Sequence, residues 1–290
     1  MFLSDKWIDF EVIDCSDGER LERWGKYILI RPDPQAVWRS GREDRRWKQA
    51  DATYIRSNTG GGHWENKRLP DAWKISYRDL SFNLKPMTFK HTGLFPEQAD
   101  NWDFAAERIR ERLRQGRSAR VLNLFAYTGA ASISAAEAGA EVCHVDAAKG
   151  MVAWAKENAK LSGLESAPIR WIVDDCAKFI EREIRRGRTY DMIIMDPPSY
   201  GRGPSGEVWK IENDLYNFVA LCTRVMSDDP DFMMISSYST GLAPSVSGYI
   251  LGLTAGKRFG RGECVCAELA LPVSSTGMAL PCGATARIVF

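Results

Sequence analysis

The sequence predicts an α/β protein: a doubly wound, mostly parallel seven-stranded sheet with an antiparallel edge strand, preceded by a small β-rich N-terminal domain. Three observations lead there. From Asp103 onward apolar strands alternate with helices, the rhythm of a parallel sheet with right-handed crossovers. The last strand-like segments, Glu263–Leu271 and Ala284–Phe290, are joined by a loop too short for a crossover helix, so they form an antiparallel edge. Residues 1–88 lack this rhythm. They carry Trp7, Trp24, Trp38, Trp47, Trp64 and Trp73, with short apolar runs such as Tyr27–Ile30 broken by turn signals at Arg31-Pro32-Asp33-Pro34 and Gly60-Gly61-Gly62.

In order, the N-terminal segment reads as small antiparallel strands with a mobile loop between Arg39 and Trp64. A helix over Asp103–Gln115 then leads into the strand Arg120–Phe125. The helix Ala130–Ala138, strand Glu141–Val145, helix Lys149–Leu161 and strand Ile169–Val173 follow. After these come the helix Ala177–Arg186, strand Tyr190–Met195, helix Ile211–Val225 and strand Phe232–Ser237. The predicted division is residues 1–88, a module for substrate binding, and residues 89–290, the main domain.

Composition sets outer limits. The 290 residues suit one large α/β domain and an appendage, and 44% hydrophobic with 27% charged residues is ordinary for a soluble enzyme. A net charge of +1 gives no overall pull toward nucleic acid or membrane, so any basic surface is local. The N-terminus lacks the order of a signal peptide, and no apolar run nears the ~20 residues of a membrane span, so a cytoplasmic protein is expected. Seven scattered cysteines argue against a disulfide framework. Cys264 and Cys266 have no partner pair for a metal and read as buried thiols on one strand face; no metal site is expected.

Chemistry concentrates at the carboxyl ends of the predicted strands. Val121-Leu122-Asn123-Leu124-Phe125-Ala126-Tyr127-Thr128-Gly129-Ala130 is a buried strand running through a small-residue turn into a helix, where a ligand can approach the backbone. It has one glycine, so the three-glycine pyrophosphate fingerprint is missing and a cofactor without a diphosphate suits it better. Thr128-Gly129 also serves as a plain helix cap. Asp146, followed by Ala147, ends the next strand 17 residues after Gly129, near the ~20 expected of a carboxylate that binds ribose hydroxyls. A helix cap is the alternative, and the turn before it favours ribose. Asp174-Asp175-Cys176 follows the third strand; a carboxylate there accepts from an exocyclic adenine amine or caps the next helix, with equal support from spacing. The fourth strand ends in Met195-Asp196-Pro197-Pro198-Ser199-Tyr200, the most specific motif. Two prolines fix φ and make a rigid wall at the sheet edge, although a tight turn with an acidic cap gives the same letters.

With these motifs the chain resembles the bacterial 23S ribosomal RNA methyltransferase family, class I S-adenosylmethionine-dependent enzymes with cytosine-C5 and guanine-N7 members. The resemblance runs from about Lys85 to Phe290 through three pieces in order: Phe89-Lys90-His91-Thr92-Gly93-Leu94-Phe95-Pro96-Glu97-Gln98, then Asn123 to Gly129, then Asp196-Pro197-Pro198. It implies S-adenosylmethionine as cofactor and a base in RNA as substrate. Phe95 and Gln98 would line the methionine part, Asp146 the ribose, and Asp175 the adenine, while Asp196 and Pro197 would face the methyl group. His91, Phe125, Tyr127, Thr128, Gly129, Ala147 and Cys176 complete the candidate cofactor set, and Pro198 and Tyr200 the candidate catalytic set. In nucleic-acid methyltransferases a loop like Asp196–Tyr200 holds a flipped base against an aromatic ring.

Two departures bear on the acceptor atom. Cytosine-C5 members carry an N-terminal RNA-binding module shared with pseudouridine synthases, which residues 1–88 do not match. They also carry a Ser-Cys-Ser-Gly stretch where this chain reads Ser237-Tyr238-Ser239-Thr240-Gly241-Leu242. C5 methylation needs a thiolate at C6. Cys282, placed in the loop before the last strand, is a fallback nucleophile that reads better as a spectator, so the sequence leans toward nitrogen or oxygen.

Arg39, Arg42, Arg45, Arg46 and Lys48 crowd around Trp38 and Trp47, suiting phosphate contact and base stacking, but Glu43 and Asp44 interrupt the run and a solvated loop is equally supported. Arg108–Arg120, interleaved with Glu107 and Glu111, reads as a salt-bridged helix face. His63 stands isolated. The rival functions are an NAD-dependent oxidoreductase, disfavoured by the single glycine and by Asp-Pro-Pro, an idle nucleic-acid binder, disfavoured by Asp146, Asp175 and Asp196, and a methyltransferase of protein or small molecules. A homo-oligomer is compatible with all of these.

Overall fold

The computed structural model describes residues 1–290 apart from 58–60, 66–67, 88–89, 203–207 and 240. Phe89, Gly60 and Thr240, each part of a motif above, therefore lie outside the described residues. The chain divides into two compact units, one of residues 1–100 with 269–282 and one of residues 101–268 with 283–290.

In the first unit, β1 (Phe2–Leu3) precedes a sheet of β2 (Phe10–Ser16), β3 (Glu19–Trp24), β4 (Tyr27–Pro32), β5 (Ala52–Arg56) and β6 (Gly62–Glu65) in that spatial order. β7 (Trp73–Tyr77) and β8 (Leu80–Leu84) form a separate hairpin. Tight turns set the antiparallel registers. Asp17-Gly18 joins β2 to β3 with φ of 52° and 77°, the left-handed pair that a two-residue hairpin requires. The expected mobile loop from Arg39 to Trp64 is corrected. A 3₁₀ turn spans Arg45–Lys48, β5 pairs in parallel with β4, and Trp47 packs into a core with Ile13, Leu21 and Ile30. Trp47 of the turn and the alternating Ala52 and Tyr54 of β5 supply buried side chains along this segment.

In the second unit α1 (Ala99–Arg114) leads into β9 (Arg120–Leu124), α2 (Ala130–Glu137), β10 (Glu141–Asp146), α3 (Lys149–Leu161), β11 (Ile169–Val173), α4 (Cys176–Arg185) and β12 (Met192–Met195). A short hairpin of β13 (Tyr200–Arg202) and β14 (Val208–Lys210) precedes α5 (Ile211–Thr223) and β15 (Phe232–Ser237). Next come α6 (Pro244–Leu251), a π-helical stretch Gly252–Gly256 and α7 (Lys257–Phe259), then β16 (Glu263–Pro272) and β17 (Ala279–Val289), of which residues 269–272 and 279–282 count with the first unit. The sheet order is β1-β16-β17-β15-β12-β9-β10-β11. It has eight strands where seven were expected, because β1 pairs in parallel with Leu269–Ala270. β15, β12, β9, β10 and β11 are parallel, and β17 runs antiparallel to β15.

Strand side chains alternate between two dry faces, as a sheet covered on both sides demands. Leu122, Leu124, Ile193, Met195, Met233 and Ile235 meet Phe179, Leu215, Phe218 and Cys222 of α4 and α5. Val121, Val142, Met192, Ile194, Phe232 and Met234 meet Ala105, Ile109, Ala135 and Ala136 of α1 and α2. Ile211, Leu215, Phe218, Val219 and Cys222 follow the i, i+4, i+7 stripe of one helix face. No helix among the described residues is long and apolar enough to cross a membrane.

Three cysteine placements differ from expectation. Cys282 lies inside β17, which starts at Ala279, so it is in a strand and its thiol is pushed up by burial. Cys264 is exposed and Cys266 half-buried, because this end of β16 is covered only on the side where Gly248 lets α6 approach both sulfurs.

The first unit buries charge. Glu22, with 0% of its side chain exposed, accepts from Arg31 at 2.6 and 2.9 Å and from the Trp24 indole at 3.1 Å, while Arg20 stands 2.9 Å away. Burial pushes the Glu22 carboxyl up, but the two guanidiniums outweigh it and hold the group below its ordinary value. Removing one partner strands the others in the interior. Glu22→Gln is expected to cost about 3–5 kcal/mol in urea unfolding, while an apolar replacement of Glu22, Arg20 and Arg31 together recovers much of it; equal stability of wild type and Glu22→Gln would contradict this reading.

Candidate active site

Beyond β9 the backbone takes a left-handed conformation three times in five residues, at Phe125 (φ 55°), Tyr127 (φ 50°) and Gly129 (φ 86°). Each residue with a side chain pays about 1–2 kcal/mol for this, so the surroundings must hold it. Ala126 N donates to Val145 O at 3.1 Å, Tyr127 N to Asp146 Oδ2 at 2.8 Å, and Gly129 N to Ala126 O at 3.0 Å. The buried Asn158 amide donates to the Thr128 carbonyl at 2.9 Å. Gly129 is compulsory twice over: its φ is left-handed, and a Cβ there would sit 2.8 Å from that of Ala155. Strain held this firmly is typical of pre-organised sites. Gly129 is the N-cap of α2, so the Thr128-Gly129 pair does cap the helix, at the glycine and with no side-chain hydrogen bond.

Under the turn lies a buried polar row that the sequence did not reveal. Asn123 Nδ2 donates to Ser132 Oγ at 2.9 Å, and Ser132 Oγ is 3.0 Å from His144 Nδ1. His144 packs against Trp171 and its Nε2 is buried without a partner. Burial alone pulls its pKa down to about 3, so the ring is neutral.

Asp146 ends β10. Its Oδ1 accepts from Ala148 N at 2.8 Å, past the exposed Ala147, and its Oδ2 takes Tyr127 N. Burial pushes the carboxyl up against the pull of these amides, and each oxygen keeps a lone pair for a further donor. Asp175 caps α4, accepting from Lys178 N at 2.9 Å through Oδ1, so the capping role is realised. Asp174 pairs with Arg182. Cys176 is buried with its thiol pushed far up by desolvation, and its sulfur accepts from Phe125 N at 3.4 Å.

The Asp196–Tyr200 loop is fixed at several points. Asp196 N donates to Leu124 O at 3.4 Å, the Trp209 indole to Pro198 O at 2.6 Å, Ile211 N to Ser199 O at 3.1 Å, and Ser239 Oγ to Ser199 Oγ at 2.6 Å. Pro197 is buried, Pro198 exposed, and Tyr200 is 51% exposed. Trp209 packs tilted against Phe125 and edge-on against Phe218, with ring centroids 5.7 and 5.5 Å apart, so one aromatic cluster backs both this loop and the β9 turn. Trp209 was missed because a lone Trp-Lys before a helix carries no pattern.

His91, Phe95 and Gln98 belong to the first unit, in a segment ending in a 3₁₀ turn at Pro96–Gln98. His91 lies 5.1 Å from the Phe95 ring. Burial, and then the charges of Arg31, Lys90 and Arg20, bring its pKa to about 4. Arg31 also donates to the Lys90 carbonyl at 3.0 Å. Glu97, absent from the sequence candidates, is buried with Oε2 unpartnered and its carboxyl pushed up by burial.

The N-terminal basic run is mostly neutralised. Arg39 pairs with Asp17, Arg42 with Glu19 and Arg46 with Asp44. Trp47 donates to Asp14, and Trp38 to the Cys15 carbonyl, at 2.8 and 3.0 Å. The arginines of α1 are salt-bridged as expected, though mainly to other elements, such as Arg108 to Asp231. Among the described residues, no three His, Cys, Asp or Glu side chains gather as a metal site.

Because β12, β9, β10 and β11 are neighbours, Asp196, the Phe125–Gly129 turn, Asp146 and Asp174–Asp175 stand along one carboxyl edge. Such an acidic row repels a diphosphate and suits a cation that brings hydroxyl and amine donors, which is the chemistry of S-adenosylmethionine. A family model described as S-adenosylmethionine-dependent methyltransferase matches residues 54–211. The chain belongs to this family. It is 37% identical to a SAM-dependent methyltransferase from Agrobacterium tumefaciens of known structure, with a TM-score of 0.91 over 99% of this chain and 92% of that one. SMU.776, solved with SAH, shares the fold at 21% identity, with a TM-score of 0.70 over 98% of this chain and 76% of that one. Curated relatives include ribosomal RNA large subunit methyltransferase K/L of Shewanella baltica strain OS195, 33% identical over 150 residues, and of Shewanella sp. strain MR-4, 31% identical over 157. These matches take in 50% and 52% of this chain but 20% and 21% of the relatives, so the chain spans about a fifth of their length. S-adenosylmethionine is the cofactor of this methyltransferase.

Burial of His144 has a pH consequence. The unfolded chain takes up its proton near pH 6.5 and the folded protein only near 3, so this contribution is complete above 6.5 and is lost as pH falls toward 3. At pH 5 the loss is about 2 kcal/mol. Urea unfolding at pH 7.5 and 5 is expected to show a gap smaller by that amount in His144→Gln; an unchanged gap would contradict a neutral buried ring.

Proposed function

We propose that this methyltransferase modifies a base in RNA, ribosomal RNA being the class named for its curated relatives. The observation carrying the reading is the Asp196–Tyr200 wall, fixed to β9, Trp209 and Ser239 beside the strained cofactor turn. A rigid loop with an exposed aromatic ring is what a flipped base needs. The bound cofactor supplies a methyl group already activated on a sulfonium. The chain's own task is alignment.

In this reading Asp146 holds the ribose hydroxyls through the lone pairs its amide bonds leave free, and the remaining oxygen of Asp175 receives the adenine amine. The Phe125–Gly129 backbone turns around the cofactor, with Ala147 and Cys176 closing its sides. Asp196 faces the acceptor and takes its proton where it has one; a ring nitrogen with a free lone pair needs no base. Pro197 and Pro198 fix the wall and Tyr200 stacks on the base. Cys176, the thiol at this edge, is too buried to act as a nucleophile, which favours nitrogen or oxygen over pyrimidine C5. Residues 1–88 add substrate contacts through Arg45 and Lys48, which have no carboxylate at ion-pair distance among the described residues.

Calorimetry with S-adenosylmethionine, and NAD as control, is expected to show micromolar-range binding that weakens at least tenfold (about 1.4 kcal/mol) in Asp146→Ala. Unchanged affinity would remove the ribose role. At saturating cofactor, Asp196→Ala is expected to lose about 100-fold or more in labelled methyl transfer to ribosomal RNA. Label entering protein or small molecules from wild type, with none in RNA, would sink the substrate class.

A further inference from the structure

At the amino-terminal edge of the second unit's sheet, opposite the acidic row, lies a groove of about 440 Å³ lined by Arg120, Arg170, Arg188, Thr189, Tyr190 and Cys143. That volume falls within the usual ligand-pocket range, roughly 300–1,000 Å³. Its guanidiniums come from different strand starts, Arg120 on β9 and Arg170 on β11, with Arg188 on the loop into β12. Parallel strands therefore bring them side by side.

The acidic partners around the groove are already filled. Glu183 is fully buried and accepts from Tyr190 OH at 2.6 Å, from Arg170 at 2.9 and 3.3 Å, and from Arg186 at 2.9 Å. Asp191 accepts from Arg120 at 2.8 and 3.1 Å, from Arg120 N at 3.0 Å, and from Ser227 and Ser118 at 2.8 and 3.2 Å, with Arg112 3.4 Å away. A carboxylate offers about four acceptor sites, so neither has capacity left. Arg188 reaches only to 4.0 Å from Glu183 and is 54% exposed. Exposed Glu141 is the remaining acid in the lining, and its charge acts on Arg120. Donors outnumber acceptors here, and five N–H groups per guanidinium leave Arg188 free to grip an oxyanion as a fork.

We propose that this groove binds a phosphate group through Arg188, with Arg120 and Arg170 as flanking charges. The phosphate comes from an RNA strand whose target base sits at the opposite edge, or from a free phosphate ligand. The RNA source rests on the proposed function; the phosphate site does not. The strands between the two edges span about 17 Å at ~3.3 Å per residue, a distance a few nucleotides of backbone bridge.

The test uses the full chain as wild type, Arg188→Ala and Arg188→Glu, with three readouts: a labelled single-stranded RNA by fluorescence anisotropy across a salt series, inorganic pyrophosphate by calorimetry, and S-adenosylmethionine by calorimetry. Expected are several-fold weaker RNA binding in Arg188→Ala, more than tenfold in Arg188→Glu, a salt slope smaller by about one, and unchanged cofactor binding. Pyrophosphate binding that Arg188→Glu abolishes, without any change in RNA affinity, supports the site and assigns it to a free ligand. Equal binding of both probes by wild type and Arg188→Glu, or binding of neither by wild type, overturns the proposal. Cofactor binding in wild type separates these results from failure of the methyltransferase site.

Discussion

The bond from the Tyr127 amide to the Asp146 carboxylate ties the strained turn after β9 to the end of β10, and the carboxyl edge depends on it. Phe125 and Tyr127 occupy a conformation that residues with side chains avoid, and local sequence offers no compensation. Compensation comes from non-local partners: Val145, Asp146, Asn158, and Ala155 at the distance only a glycine tolerates. Each sits on β10 or α3, so the turn has its shape only once the β9–α2–β10–α3 unit has closed. The carboxylate that orders the turn keeps lone pairs for a ligand, which makes fold and binding chemistry share one side chain.

The first unit solves a related problem with charge. Glu22, Arg20 and Arg31 are buried together, and Arg31 passes that constraint on by holding the Lys90 carbonyl at the head of the segment that carries His91, Phe95 and Gln98. An apolar core there would give similar stability but no fixed donor for that carbonyl. Burial also settles the protonation of this segment. His91 is neutral because desolvation and three nearby cations all oppose its charge.

The sheet was legible because its signal is periodic and repeated. Lys149–Leu161 and Ile169–Val173 match the sequence reading residue for residue, each having an apolar period with clear polar flanks. α6 and the π-helical stretch were missed because Ser245, Ser247, Gly248, Gly252 and Gly256 leave no amphipathic stripe. The strand-end carboxylates were legible as positions, since each follows an apolar run. The side chains that brace the turn and loop around them were not: Asn158, Ser132, His144 and Trp209 bond to residues 9 to 30 positions away in the chain. For the Arg39–Lys48 run the spacing supported phosphate contact and a solvated loop equally, and the structure pairs Arg39, Arg42 and Arg46 with Asp17, Glu19 and Asp44.

A net charge of +1 conceals two opposed edges in the second unit. Strand ends at the carboxyl side carry Asp146, Asp174, Asp175 and Asp196, and strand starts carry Arg120, Arg170 and Arg188. Arg120 and Arg170 are offset there by Asp191 and Glu183, so the segregated positive charge at the amino side is that of Arg188. Segregation has a use when the ligands are themselves opposite in sign. A sulfonium cofactor is drawn to the acidic edge and kept from the basic one, while a polyanionic substrate meets repulsion from the carboxylates and needs a cationic hold elsewhere on its backbone. The acidic row that fits the cofactor therefore creates the need for a basic anchor at a distance, and the saturated carboxylates beneath Arg188 leave one available.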